Sequence, residues 1–407
     1  MDQNARHVLR TTCAAHGLIH VLELSVPPLL VLIQGELGAS DFRMGQVVAA
    51  YGLLFGLGAL PAGLLVDRIG SSRLLAACLW GASVAVLGMA LAPGLPAFAV
   101  CATLMGLCLS AYHPAGTSLI THAMPPSGRV FALHGMAGNF GVATSSVIAG
   151  TLGALFGWRW ALGVLAVPGV LLGLRALSLP APTVDPSEQR HTNGRWGRLL
   201  LLLVAAGFMG MVYRGLTTFL PKLFSTTYAQ DPQTGTALGG ALTTAALLVG
   251  IAGMYVAGRA MDRGVHPATV FLVGSVLQAP LLLAMGSFGA TPLVPLAMGV
   301  AFFHFFTQPP GNHLVFDLTP PHARGLGYGL YFFLAFGAGS TGAGLSGYVS
   351  DRLGLSYIFP VLATLLLVPA LAMLSLRRTK PSATQPTPDA SSSASVVPGL
   401  GHGPRPR

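Results

Sequence analysis

Charge is what this sequence has least of. Only 8% of its 407 residues are charged, against about 25% in an average soluble domain, and no water-facing surface can be built from that supply. Lysine is almost missing, with Lys222 and Lys380 the only two among 22 basic residues. The net charge is +10, yet the arginines are dealt out singly between apolar runs. A nucleic-acid partner would need them gathered on one face, so none is expected. Cysteine is scarce as well. Cys13, Cys78, Cys101 and Cys108 fall inside apolar runs rather than in paired loops, which excludes a disulfide framework. Enzymatic motifs are missing too: there is no His-Glu-x-x-His, no phosphate-cradling loop and no nucleophile elbow. The chain is therefore not expected to be an enzyme, calls for no cofactor and is assigned no metal. Without a nucleotide-binding domain it cannot be driven by ATP on its own.

What is present is hydrophobicity, at 53% of residues. Runs of about 20 apolar residues, each enough to cross the hydrocarbon of a bilayer, recur as far as residue 376. They predict an all-α polytopic membrane protein with twelve transmembrane helices over 8–35, 43–66, 73–92, 96–123, 129–155, 158–179, 198–222, 236–260, 267–288, 292–317, 324–350 and 356–376. With the N-terminus in the cytoplasm, only Arg43, Arg159, Lys222 and Arg352 fall on the outer side, and most of the other basic residues fall inside. This bias predicts cytoplasmic termini at both ends of a chain in the cell inner (plasma) membrane. The first run carries His16, His20 and Glu23 and is read as a retained helix rather than a cleaved leader.

Residues 1–179 and 198–376 form two six-helix halves, separated by a polar, proline-interrupted cytoplasmic linker at 180–197. The Pro/Ser/Ala/Gly-rich tail, 377–407, has too few large apolar side chains to order itself. The halves repeat at an offset of 195. Gly63, Asp67 and Arg68 match Gly258, Asp262 and Arg263, and Pro114, Gly116, Pro125, Pro126 and Arg129 match Pro309, Gly311, Pro320, Pro321 and Arg324. Parallel six-helix repeats place a binding site between the halves near the midplane.

The stretch from Gly63 through Asp67, Arg68 and Gly70 to Arg73 resembles the loop signature of the major facilitator superfamily, with a weaker copy at Gly258 to Arg263. The resemblance covers residues 8 to 376 and implies alternating access by rocking of the two halves. In that setting Gly63, Asp67, Arg68, Gly70, Arg73, Asp262 and Arg263 form a gate latch. His16, Gln34-Gly-Glu36, Tyr112-His113-Pro114, Gly128-Arg129 and Gly138-Asn139-Phe140-Gly141 look like the fosmidomycin-resistance group of exporters, which implies proton-driven efflux. His20 and Ala115 stand where that group tends to carry acids.

Ionisable groups in a bilayer cost roughly 2.5 to 3.5 kcal/mol each at a helix centre and are functional candidates by default. His16, His20 and Glu23 are spaced i, i+4 and i+7, which puts all three on one helix face. A proton-coupling cluster, a set of metal ligands and plain interhelical hydrogen bonding all fit that face. Arg214, deep in helix 7, can capture an anionic solute in bidentate fashion or serve as the counter-ion of Glu23. Tyr112, His113, His134, Asn139, His304, Gln308 and Asn312 are further candidates for substrate binding, with Pro309 and Pro310 breaking helix 10 beside them. The glycines of helix 11 and the phenylalanines around residue 302 are read as packing.

The leading expectation is a monomeric secondary transporter that exchanges protons for a small organic anion or drug-like solute, in the direction of efflux. Its partners are that small-molecule substrate, protons and the lipid bilayer. Two alternatives are a transition-metal transporter using the buried histidines and a non-transporting sensor on the same fold.

Overall fold

The computed structural model describes residues 2–124, 128–179, 196–320 and 323–377. Residues 180–195 of the expected linker and 378–407 of the expected tail lie outside the described residues, as do Pro125, Pro126, Pro321 and the side chains of Asp67 and Arg129. Trp196 and Gly197, expected in the linker, and Arg377, expected in the tail, are helical. The apolar run after Trp196 propagates the helix backward, while Arg377 complements the carbonyl end of its own helix.

The described residues form helices and no strands. We group the described helices into twelve segments, called passes and numbered in chain order. Pass 1 is Gln3–Glu23, a short 3-10 turn at Pro27–Leu29 and then Leu30–Leu37. Passes 2 and 3 are Asp41–Ile69 and Ser71–Ala90. Pass 4 joins Leu95–Leu109 to Tyr112–Ala123, and passes 5 and 6 are Gly128–Phe156 and Trp158–Leu177. In the second half, passes 7, 8 and 9 are Trp196–Tyr228, Pro232–Asp262 and Pro267–Ser287. Pass 10 joins Leu293–Phe306 to Gln308–Leu318. Pass 11 runs Arg324–Phe332, Phe333–Gly337, Ala338–Ser340 and Thr341–Leu353, and pass 12 runs Leu355–Tyr357, Ile358–Leu365 and Leu367–Arg377.

Ten stretches are long and apolar enough to cross a membrane by length and composition. Pass 10, expected to break at Pro309 and Pro310, and pass 11, expected as a continuous helix, are both composites, and the chain says why. Pro309 and Pro310 have no N–H to give the preceding turn, so pass 10 breaks at Thr307. In pass 11 a π-helical turn at Phe333–Gly337 runs into a 3-10 turn among closely spaced glycines. Pass 1 breaks for the same reason as pass 10: Pro27 and Pro28 leave the carbonyls of Glu23 and Leu24 without their helical donors.

An even number of passes brings both termini to one end of the bundle, here the terminal end; the opposite one is the far end. Two seams join the halves. Pass 2 lies along pass 11, where Gly56 meets Gly337 backbone to backbone. Pass 5 lies along pass 8, where Gly150 meets Gly240 and the Val147 N–H donates to the Thr244 hydroxyl at 3.0 Å. Both seams are tight toward the far end. At the terminal end, Gly63 of pass 2 and Gly258 of pass 8 face open space, so the halves are splayed there. At the far end Asp231 caps pass 8: hydrogen bonds from Thr234, its backbone N–H at 2.8 Å among them, hold the Asp231 carboxyl below the usual carboxylate range.

Candidate functional site

The splayed halves enclose a cavity of about 380 Å³. One wall is the face of pass 1 that carries His16 and His20. Its position depends on pass 5: Gly141 packs onto the backbone of Gly17, and the missing side chain of Gly138 leaves the room that the His16 imidazole fills. A hydrogen-bonded cluster results. Nδ1 of His16 lies 2.8 Å from the carbonyl oxygen of His134, and the two rings stack at 4.2 Å between centroids. The Tyr112 hydroxyl donates to the carbonyl of Thr12 at 2.5 Å, so its 2.9 Å contact with Nε2 of His134 has the histidine as donor. His113 stands edge-on to His16 at 5.3 Å. One ring nitrogen from each of His16, His20 and His113 lies within 4.8 Å of the others, a spacing from which imidazoles can also reach a metal ion.

Behind this wall lies a buried ion pair. Glu23 closes the first helix of pass 1 and is buried, with one carboxylate oxygen on Nδ1 of His20 at 2.8 Å. The other oxygen accepts from Nη2 of Arg214, in the middle of pass 7. Arg214 is 1% exposed, and the rings of Tyr51 and Tyr213 lie 5.7 and 5.9 Å from its Cζ. Its Nη1 and the Tyr51 hydroxyl are buried without a hydrogen bond. A buried ion pair of this kind recovers its desolvation cost only while both partners are present, and removing one costs about 3 to 5 kcal/mol. The pair also ties the first half to the second.

The opposite wall comes from the second half. His304, Gln308 and Asn312 line it, even though the helix breaks at Thr307 between the first of them and the other two. His304 stacks on Tyr213 at 5.4 Å and lies 3.3 Å from Nε2 of Gln278. Asn139 reaches across from pass 5 to the sulfur of Met254 at 3.4 Å. Phe332 and Phe336 supply apolar surface.

Of the residues expected to bind substrate, His113, His134, Asn139, His304, Gln308 and Asn312 line the cavity, and so do His16 and His20 from the helix 1 cluster. Arg214 and Tyr112 do not; both are buried behind it on Glu23 and on Thr12. His313, beside the stripe, faces outward and pairs with Asp317 at 3.0 Å. Arg68, Arg73, Asp262 and Arg263, expected to latch a gate, are exposed at the splayed terminal end with Gly63 and Gly70 partly exposed beside them, while the Asp67 side chain lies outside the described residues. All four cysteines are free.

Sequence reasoning missed the closed end. Both carboxylate oxygens of Asp351, at the end of pass 11, accept backbone N–H groups at the start of pass 2, from Asp41 at 3.0 Å and Phe42 at 3.1 Å. The Ser350 hydroxyl donates to the Asp41 carboxylate at 2.6 Å. Lys222 of pass 7 bridges Asp41 and the Gln34 amide oxygen, the latter at 2.9 Å. Two signals were available. Lys222 is one of only two lysines, and Asp351-Arg352-Leu353-Gly354 duplicates the pattern of Asp67-Arg68-Ile69-Gly70.

Comparison with known proteins places the whole chain in one setting. The sequence pattern described as Major Facilitator Superfamily matches residues 13–343 and 240–405. An uncharacterized MFS-type transporter of Bacillus subtilis (strain 168) is 26% identical over 369 residues, covering 86% of this chain and 88% of its own. A probable galactarate/D-glucarate transporter of the same organism is 23% identical over 413 residues, covering 88% and 90%. The crystal structure of a bacterial homolog to the human lysosomal transporter Spinster, inward-facing and occupied, shares the fold. Its TM-score is 0.78 at 16% identity, over 93% of this chain and 98% of that one.

Proposed function

The chain belongs to the Major Facilitator Superfamily, and from that membership we propose a proton-coupled transporter that moves a small organic anion by alternating access. The observation that carries it is the cavity between the halves, closed at the far end and walled by imidazoles that lead to a buried ion pair joining the two halves. With the terminal end in the cytoplasm, as the arginine distribution favours, the cavity opens inward. The similar galactarate/D-glucarate transporter supports a sugar acid or related hydroxy-acid as cargo, and the likeness to the proton-driven fosmidomycin-resistance group supports the proton as the driving ion.

A proton passed through His20 to Glu23 removes the charge that holds Arg214. The guanidinium then has two free edges and a low-dielectric setting in which a carboxylate competes well. His16 and His134 keep the ring faces aligned along the route, and the gating residues Gly63 to Arg73 with Asp262 and Arg263 close the terminal end once the halves rock. Protonation of Glu23 and capture of the anion by Arg214 thereby favour each other, and that linkage couples their movements.

The test is flux in proteoliposomes loaded with radiolabelled galactarate under an imposed pH gradient. Wild-type protein is expected to drive uptake or release that collapses with the gradient, and Glu23→Gln to abolish the pH-driven component while galactarate exchange persists. Full pH-driven flux in Glu23→Gln removes Glu23 and its histidines from the coupling role.

A further inference from the structure

Passes 2 and 11 are antiparallel neighbours along one seam, and each ends in the same four-residue pattern, Asp-Arg-aliphatic-Gly. The glycine that stops each helix has a positive φ, 85° at Gly70 and 110° at Gly354, so both ends are built by one device. In an antiparallel pair the end of each helix lies beside the start of the other. At the far end this brings Asp351 onto the first two backbone N–H groups of pass 2.

We infer that Asp351 is the far-side latch of the transport cycle, a carboxylate of the second half that caps a helix of the first and must let go before the far end can open. Three observations converge on it. Asp351 satisfies amide groups that pass 2 cannot satisfy internally, and it does so at the positive end of that helix's dipole. Asp41, whose own N–H is one of the two donors, is held from the other half by Ser350 and by Lys222, so the latch is a knot of passes 2, 7 and 11. None of Asp41, Lys222, Ser350 and Asp351 lines the cavity, so their contribution is to the balance between closed and open states and not to solute contacts. Lys222 neutralises Asp41 at the point where two carboxylates, Asp41 and Asp351, would otherwise repel.

The inference holds whatever the cargo or its driving ion, and its test uses neither. Spin labels on Pro93→Cys and Gly289→Cys, exposed far-end positions in opposite halves, are placed in the full-length protein after Cys13, Cys78, Cys101 and Cys108 are changed to serine. Pulsed electron-spin distances then read the fraction of molecules open at the far end. Asp351→Ala is expected to raise the ratio of open to closed by roughly tenfold or more, the scale of a lost charge-assisted hydrogen-bond pair. Asp351→Asn, which keeps the shape and one acceptor, is expected to fall between it and wild type, and it serves alone if the alanine variant does not fold. A distance distribution identical to wild type in Asp351→Asn and, where folded, Asp351→Ala overturns the inference.

Discussion

On the N-terminal side of the cavity stand four imidazoles, His16, His20, His113 and His134, with the carboxylate of Glu23 behind them. On the C-terminal side a single imidazole, His304, stands among the amides of Gln308 and Asn312 and the ring faces of Tyr213, Phe332 and Phe336. Repeated halves have thus diverged where they face each other. One presents mostly imidazoles, and the other presents mostly amides and aromatic rings. Arg214 is the exception, a permanent charge in the second half, and it is fastened to the first half's carboxylate rather than to the cavity. On the function proposed above, this division lets cargo contacts change without disturbing the chemistry of coupling.

The sharpest way to break that contrast is to remove the charge that joins the two sides. Glu23→Leu leaves Arg214 buried without its partner and is expected to cost about 3 to 5 kcal/mol, read as a lowered midpoint in thermal unfolding in detergent. Glu23→Leu with Arg214→Met is expected to recover most of that loss, and strict additivity of the two single changes would show that the pair is not coupled. Next in size is Gly141→Ala, whose new methyl runs into the backbone of Gly17. Pushing passes 1 and 5 apart is expected to cost about 1 to 3 kcal/mol and to misplace His16, so unfolding midpoint and pH-driven flux fall together. Smallest is Asn312→Ala on the other wall. It removes about one hydrogen bond, roughly 1 kcal/mol or a several-fold rise in galactarate Kd, with the pH profile of flux unchanged; a shifted profile would blur the distinction between the walls.

Pass boundaries were legible where hydropathy and helix punctuation coincide. Passes 6 and 9, expected over 158–179 and 267–288, run from Trp158 to Leu177 and from Pro267 to Ser287 because a glycine or proline marks the start. The i, i+4, i+7 spacing that puts His16, His20 and Glu23 on one face was equally plain, since one helix settles it alone. What one helix cannot settle is depth and register across a seam. Whether Arg214 faced solute or Glu23 depended on how pass 7 sits against pass 1, which no spacing within pass 7 encodes. The far-end knot was hidden for the same reason, as Asp41 and Asp351 stand 310 positions apart. The π-helical turn of pass 11 carries no proline to announce it, only closely spaced glycines that packing alone also explains.

The meeting of Gly56 with Gly337 sets the leverage of the whole machine. The backbones of passes 2 and 11 are in direct contact there, and the contact falls at the end of the π-helical turn. From Gly56 to Asp41, at 1.5 Å per residue, is about 22 Å, and from Gly56 to the other end of the helix at Ile69 is about 20 Å. A stiff beam on a central fulcrum moves its two tips by equal amounts, so whatever aperture closes at one face is matched in width at the other. On the alternating access proposed above, such a beam does not grade its cargo by size between entry and exit: any solute that fits through the door it enters also fits through the door it leaves by.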